Sequence, residues 1–487
     1  MGSLFPWLAA PADSLALRVG DRSLDQRALA AACVHHVQTL QAWGVAPGDR
    51  IGVWTQPALE TLVAFIAHAA AGYVSVPIDP KLGDTELTHV LGNAAPRVTV
   101  AADADAVRAR AGNRETFAIP MGAAASPLSQ AAVDDSPALV LYTSGTTGAP
   151  KGAVITRRNI ASNLDMLARA WAWSGSDIVV HALPMFHVHG LVLGLFGSQR
   201  RGGALHWVPR FTPHDLAHAV REHAERAVLF AVPTMYHRLC EAAPNDATIG
   251  ESLRSARLLV SGSAPLSLRE HATLEQLTGQ RVIERYGLTE TLINCSTRHD
   301  GDRRAGVVGP PLDGVELRLV DDERRAIAAD PAAIGEVAVR GPHVFAGYLD
   351  NAEATQAVLD ADGWFYTGDL ATRHADGAIQ IVGRRSTDLI KCGGYKVGAG
   401  EVEAALLDHP AVAEAAVIGA PDDDLGERIV AFVVLRPDDE RTTPADIVSH
   451  VAMQLSPHKR PRDVKIVDAL PRNAMGKVQK TKLRALL

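Results

Sequence analysis

Residues 138–153 read ALVLYTSGTTGAPKGA, an apolar run from Ala138 to Leu141 that feeds a loop of glycines, hydroxyls and one lysine. A strand running into such a loop is the pattern of a phosphate site in an α/β protein. Gly145, Gly148 and Gly152 let the backbone approach a ligand closely. The hydroxyls of Thr143, Ser144, Thr146 and Thr147 offer donors, and Lys151 supplies a point charge. The cargo implied is a polyphosphate. A Walker A loop is excluded, because it needs GxxxxGK[ST] and here Lys151 follows Pro150 and precedes Gly152.

Outward from this loop, helical and strand patterns alternate. Ser23 to Trp43 carries Leu24, Leu29, Val34, Val37 and Leu40 at helical spacing, which predicts a helix over that stretch. Strands are expected at Arg50 to Thr55 and Tyr73 to Asp79, with a helix between them from Leu59 to Ala71. DIVVHALPMFHVHG, GGALHWV, AVLFAVP, ARLLVSGSAP and RVIERYGLTET then each put a short β-rich run ahead of a turn, so the chemistry-bearing residues fall on loops after strands. Beyond Gly383 to Asp388 the pattern changes to a compact α+β unit: helix EVEAALLDHP, strands AEAAVIGAP and RIVAFVVL, a helix at Ala445 to Leu455 and a strand at Asp463 to Val467.

The chain has 487 residues, 47% of them hydrophobic, enough for two or more cores. A net charge of -7 without basic blocks speaks against nucleic acid as a partner. Cys33, Cys240, Cys295 and Cys392 are widely spaced and form no CxxC pair, so reduced thiols in a cytoplasmic protein are expected and no structural metal. No apolar stretch approaches the length of a membrane span, and no membrane partner is expected.

The glycine loop resembles the signature loop of the adenylate-forming superfamily, which comprises acyl-CoA synthetases, peptide-synthetase adenylation domains and luciferases. PMFHVHG (184–190), SGSAP (261–265), RYGLTET (285–291), YTGDL (366–370), GRRSTDLIKCGGYKVGAGEVE (383–403) and PRNAMGK (471–477) resemble its further motifs, in order. The resemblance implies a fold of class α/β: a large N-terminal domain, 1–384, of mixed, mostly parallel sheets flanked by helices, and a small mobile α+β C-terminal lid, 385–487. It also implies a two-step reaction, in which a carboxylate attacks the α-phosphate of MgATP to give acyl-AMP and the thiol of CoA then displaces AMP. ATP, Mg2+ and CoA are the cofactors expected.

By that resemblance Thr143, Ser144, Gly145, Thr146, Thr147, Gly148 and Lys151 hold the phosphates, and Gly262, Ser263 and Ala264 line the adenine side. Tyr286 stacks near the adenine with Gly287 beside it, Thr289 contacts the α-phosphate, and Glu290 ligates Mg2+. Asp369 and Arg384 are expected at the ribose. Lys477 resembles the lysine that bridges carboxylate and α-phosphate, and its acetylation would remove that charge, so a lysine acetyltransferase and deacetylase are possible partners. Lys391, Gly393, Gly394 and Tyr395 face the CoA tunnel or form a simple tight turn. The hinge string GRRSTDLIK, with Ser386 and Thr387, is one residue longer than in many relatives, so no single hinge residue is assigned.

The acid is indicated by charge. Arg285, directly before YGLTET, and His189 stand where a pocket for a fatty or aromatic acid would be apolar, and a guanidinium is a natural clamp for a second carboxylate. The combined strings resemble bacterial malonyl-CoA synthetases, which makes Arg285, His189 and Ser261 the malonate set. His187 is then a pocket wall or gate, and Val188 and Ile293 flank the α-carbon, leaving room for methylmalonate. A short-chain monocarboxylate–CoA ligase and a stand-alone adenylation enzyme acylating a carrier protein are the alternatives; a regulatory nucleotide binder and a luciferase-like oxygenase are weaker ones.

Overall fold

The structure, a computed structural model, describes residues 2–111, 114–122, 128–143, 149–327, 333–385, 388–393, 395–422, 424–437, 439, 441–472 and 478–487, with Lys391 and Lys396 described by backbone alone. Among the described residues the strands form four sheets. The first runs, in spatial order, Leu292–Ser296, Ile283–Leu288, Leu258–Ser261, Ala227–Ala231, Ile178–His181, Ala204–Trp207, Leu15–Val19 and Arg22–Asp25. Its inner pairings are parallel and only its two edge strands are antiparallel. Strands such as Ala227–Ala231 and Leu258–Ser261 are apolar at almost every position and buried throughout, as sheets covered on both faces require.

The second sheet has seven strands. Val74–Ile78, Arg50–Trp54, Val98–Ala101 and Thr116–Ala118 are parallel, and the hairpin Pro137–Thr143/Lys151–Thr156 adds an antiparallel flank. The opening loop therefore spans two antiparallel strands, with Thr143 opposite Lys151. Ser144 to Gly148 lie outside the described residues, as does Lys477.

A four-stranded antiparallel sheet, Glu316–Val320, Gly335–Arg340, Phe365–Arg373 and Ile379–Arg384, brings Asp369 opposite Arg384. From Ile390 onward the chain has its own apolar cores, built on five strands and on the helices Ala399–Leu407 and Pro444–Gln454. The sheets are mixed and flanked by helices, as expected.

One boundary differs from the sequence expectation. The first long helix begins at Gln26, because the Asp25 side chain accepts from Ala28 N and caps it, while Leu24 belongs to the short strand Arg22–Asp25. Among the described residues no helix is long and apolar enough to cross a membrane. The four cysteines are unpaired.

Arg157 ties the second sheet together. It is 1% exposed, and its guanidinium donates to the carbonyls of Ala69, Tyr73, Ser136 and Pro137 and to Ser136 Oγ. Replacing it by Ala would orphan several buried acceptors, so Arg157→Ala should lose on the order of 3 kcal/mol in denaturant unfolding. Arg157→Lys should recover little of this, since an ammonium cannot reach in so many directions. An alanine variant with an unchanged midpoint would contradict the assignment.

Candidate active site

The residues expected to hold the acid gather around the C-terminal ends of neighbouring parallel strands. Ser261 closes Leu258–Ser261 and is in register with Glu284, one residue before Arg285. The next residue, Gly262, lies so close that a Cβ there would stand 2.5 Å from Arg285 Cζ, so only glycine lets the guanidinium pack against the backbone. Ser263 follows with φ +75, a left-handed conformation rare outside glycine, and its Oγ lies 3.5 Å from His189 Nδ1. His189 starts a π-helical run, His189–Phe196, of the kind that collects at functional sites. The turn before it admits no side chain at 190, where a Cβ would meet Pro184 O at 2.3 Å.

Arg285 is 7% exposed, His189 6% and Ser261 1%. Among the described residues Arg285 Nε and Nη2, His189 Nε2, His187 Nε2 and Ser261 Oγ are buried without a hydrogen-bond partner. Burial pulls Arg285 down to about 10, so it stays charged at neutral pH. Burial, aided by the charge of Arg285, holds His189 well below its ordinary value, and burial lowers His187 to about 4. A fixed cation, two neutral imidazoles and a hydroxyl thus converge with unused donors, an arrangement suited to an anion. Val188 is half-buried, whereas Ile293 is 0% exposed in the main core with both backbone polar groups bonded to Asn163. Of the two, Val188 alone offers accessible surface.

The residues expected at the nucleotide rest on the hairpin Ile283–Leu288/Leu292–Ser296, whose turn carries Thr289 and Glu290. Gly287 is needed there, since a Cβ would stand 1.7 Å from Leu292 O. The Tyr286 hydroxyl donates to Asp369 Oδ2 at 2.6 Å, and Arg384 Nε pairs with Asp369 Oδ1 at 2.8 Å. The structure therefore brings Tyr286, Asp369 and Arg384 into one cluster. Gly262 and Ser263, expected on the adenine side, contact the carboxylate cluster, and Ala264 is exposed on the same loop. Gly393 has φ +58, and Tyr395 is 56% exposed and stacks on His458 at 4.2 Å.

Two residues of the site escaped the sequence reading. Tyr348 donates to Glu290 Oε1 at 2.8 Å while its ring lies 5.2 Å from Lys151 Nζ, so it joins the ends of two motifs. Burial and the Glu290 carboxylate push its hydroxyl upward, which keeps it a donor. Glu336 accepts from Gly368 N at 2.9 Å and from Arg385 at 2.8 Å, fixing the turn before Asp369. The only local signal for Tyr348 is the Gly347–Tyr348 pair ahead of the helix-capping Asn351.

The sequence matches the AMP-binding enzyme family over residues 5–349 and the AMP-binding enzyme C-terminal domain over residues 401–477. The chain belongs to this adenylate-forming family and is an AMP-forming acyl-CoA synthetase, a class whose substrates are a carboxylic acid, ATP and CoA. A malonate–CoA ligase of Arabidopsis thaliana is 34% identical, aligned over 92% of this chain and 79% of its own. A malonyl-CoA ligase solved as a ternary product complex with methylmalonyl-CoA and AMP is 49% identical, covering 96% of this chain and 100% of that one, with a TM-score of 0.73. ATP-bound MatB from Rhodopseudomonas palustris is 34% identical over 100% and 99% of the two chains, with a TM-score of 0.89. The more identical structure superposes less well, so the difference between those two matches does not follow sequence divergence.

Tyr348→Phe keeps the ring beside Lys151 and removes the donor to Glu290. One hydrogen bond to a carboxylate is lost, so kcat/KM for ATP in an AMP-formation assay should fall about tenfold. Unchanged kinetics across ATP and Mg2+ concentrations would show that the contact is idle.

Proposed function

We propose that the chain is an ATP-dependent malonyl-CoA synthetase, joining malonate to CoA through malonyl-AMP with release of AMP and diphosphate, and that it also accepts methylmalonate. One observation carries this reading: the charged, buried guanidinium of Arg285, with two nitrogens lacking a partner among the described residues and the unused donors of His189 and Ser261 on the neighbouring loops. A monocarboxylate presents only the carboxylate that reacts and would leave that cation uncompensated, at a cost of several kcal/mol. Malonate presents a second one.

In this reading Arg285, His189 and Ser261 grip the carboxylate that does not react, with His187 as a wall. The reacting carboxylate then faces the α-phosphate beside Thr289. Tyr286 and Gly287 flank the adenine, and Asp369, set by Tyr286 and Arg384, receives the ribose hydroxyls. Lys151 and the 143–148 loop take the phosphates. Glu290 fits Mg2+, a hard cation served by carboxylate oxygens: Tyr348 holds one of its oxygens and the other is the ligand. When bound, the ion neutralises phosphate charge.

Lys477, carried by the lid (385–487), lowers the repulsion between the two anions as they meet, and its acetylation and deacetylation would switch that charge. Lys391, Gly393, Gly394 and Tyr395 then face CoA once the lid has turned away from the 1–384 domain.

The test is AMP formation from ATP and CoA with malonate, methylmalonate, succinate, acetate and propionate, using wild type and Arg285→Ala in parallel. Wild type should prefer malonate, and the variant should lose on the order of a hundredfold with malonate while changing far less with acetate. A wild-type preference for propionate, or a malonate preference retained in Arg285→Ala, would overturn the reading while leaving the adenylate-forming chemistry intact. Val188 is the wall beside the α-carbon, so Val188→Ala should raise the rate with bulkier α-substituted malonates relative to malonate by about tenfold. An unmoved ratio would remove Val188 from that wall.

A further inference from the structure

Away from the reaction site, the strand Ala204–Trp207 and the helix Pro213–His223 meet through side chains that the chemistry above does not use. His206 Nδ1 lies 3.0 Å from His223 Nε2, and one ligand atom from each of His206, His223 and Glu222 falls within 4.8 Å of the others. Four strand positions separate Ala204–Trp207 from Ile283–Leu288, about 19 Å at the usual interstrand spacing. The expectation of no structural metal rested on cysteines, and this cluster contains none.

We propose that His206, His223 and Glu222 form a binding site for a Zn2+-class transition metal, which clasps the C-terminus of the helix to the sheet. Tetrahedral zinc with nitrogen ligands at about 2.0–2.1 Å sets ligand-to-ligand edges of about 3.3 Å, so the two imidazoles already stand close to the required separation. Burial, the largest effect, holds His206 at about 3 with help from His223, Arg18 and His218, and it lowers His223 with help from Arg18 and Arg226 and against Glu222, so both rings are neutral. The Nδ1–Nε2 hydrogen bond between them gives way when the ion binds, the donor ring moving its proton to its other nitrogen so that both lone pairs face the metal. His223 is the last residue of its helix, where the negative end of the backbone dipole favours a cation. His218 acts electrostatically on His206 and lies one helical turn before Glu222, and a fourth ligand is left to water.

Two cations oppose the ion: Arg226 acts electrostatically on His223, and Arg18 reaches the carboxylate. Arg18, in register with His206 on the adjacent strand, pairs with Glu222 and also donates to Gly20 O. Its side chain is 30% exposed, so it can swing into solvent as the metal takes the carboxylate. The site is a structural clasp and takes no part in acyl transfer.

The experiment uses tag-free, chelator-treated full-length protein titrated with Zn2+ by calorimetry and with Co2+ by visible absorption. One equivalent should bind at micromolar concentration or tighter, with tetrahedral Co2+ bands lacking a thiolate charge-transfer feature, and bound Zn2+ should raise the unfolding temperature. His223→Ala, half-exposed and tolerant of truncation, should weaken binding at least about tenfold, Glu222→Gln less, and Arg18→Ala should tighten it severalfold. The metal-free unfolding temperature of each variant separates a lost ligand from a lost fold. Absence of one-equivalent binding, or equal affinity in the His223→Ala, Glu222→Gln double variant, would overturn the proposal.

Discussion

A guanidinium held inside a protein without a carboxylate is costly, and the acid side of this site is organised around that cost. Arg285 could not reach its position if residue 262 carried a side chain, and Ser263 accepts a left-handed backbone so that the loop can turn away from the guanidinium. Its neighbour His189 avoids a second positive charge by staying neutral. None of these features improves packing by itself. Glycine weakens a strand end, a positive φ costs energy at serine, and an unpaired buried cation costs more than either. Together they suit the proposed acid site, in which the missing partner is supplied from outside.

The nucleotide side solves the opposite problem. Asp369 is a buried carboxylate, 6% exposed, and it is already paired on both oxygens, by the Tyr286 hydroxyl and by Arg384. Glu336, from the adjacent strand, holds the preceding turn through Gly368 N, so the carboxylate is aimed before any ligand arrives. Glu290 is tied in the same way by Tyr348. Each carboxylate is thus oriented by its own donors, and a ligand does not have to order it. In the proposed site one half is thus poised by excess positive charge and the other by positioned negative charge.

Much of this was legible in the sequence because it is local. Strands ending in Gly, Ser or Pro turns gave the parallel sheets, and Arg285 and His189 stood out as polar residues where a hydrophobic pocket was the alternative, while Ser261 came from the family resemblance alone. What was not legible depends on distant contacts. Leu24 fits the helical spacing, but Asp25 is the better cap, and a cap outranks one apolar position. Ile293 sits inside a substrate-side motif, yet Asn163, 130 residues away in sequence, draws its backbone into the core. Tyr348 and Glu336 act through partners 58 and 32 residues away, which the short signal at Gly347–Tyr348 does not reveal and nothing local to Glu336 announces. The 144–148 loop and Lys477, the strongest motif signals, lie outside the described residues.

The described residues nonetheless fix where the Lys477 segment begins and ends. Arg472 and Val478 form a bridge across its base, and Gln479 N donates to Pro471 O at 2.7 Å. The next residue, Lys480, is only 13% exposed and lies 2.6 Å from both Asp388 and Glu403, a buried cation with two carboxylates where Arg285 has none among the described residues. Its pKa is raised: burial opposes the charge, but the two carboxylates outweigh it. Asp388 in turn accepts from Arg384 N at 2.9 Å through its other oxygen, four residues after the arginine that pairs with Asp369. The base of the lysine segment is therefore referenced, through two ion pairs and one backbone bond, to the residue that orders the nucleotide side. A buried lysine paired with two carboxylates holds geometry, whereas the buried arginine without one among the described residues is the group proposed to bind a ligand.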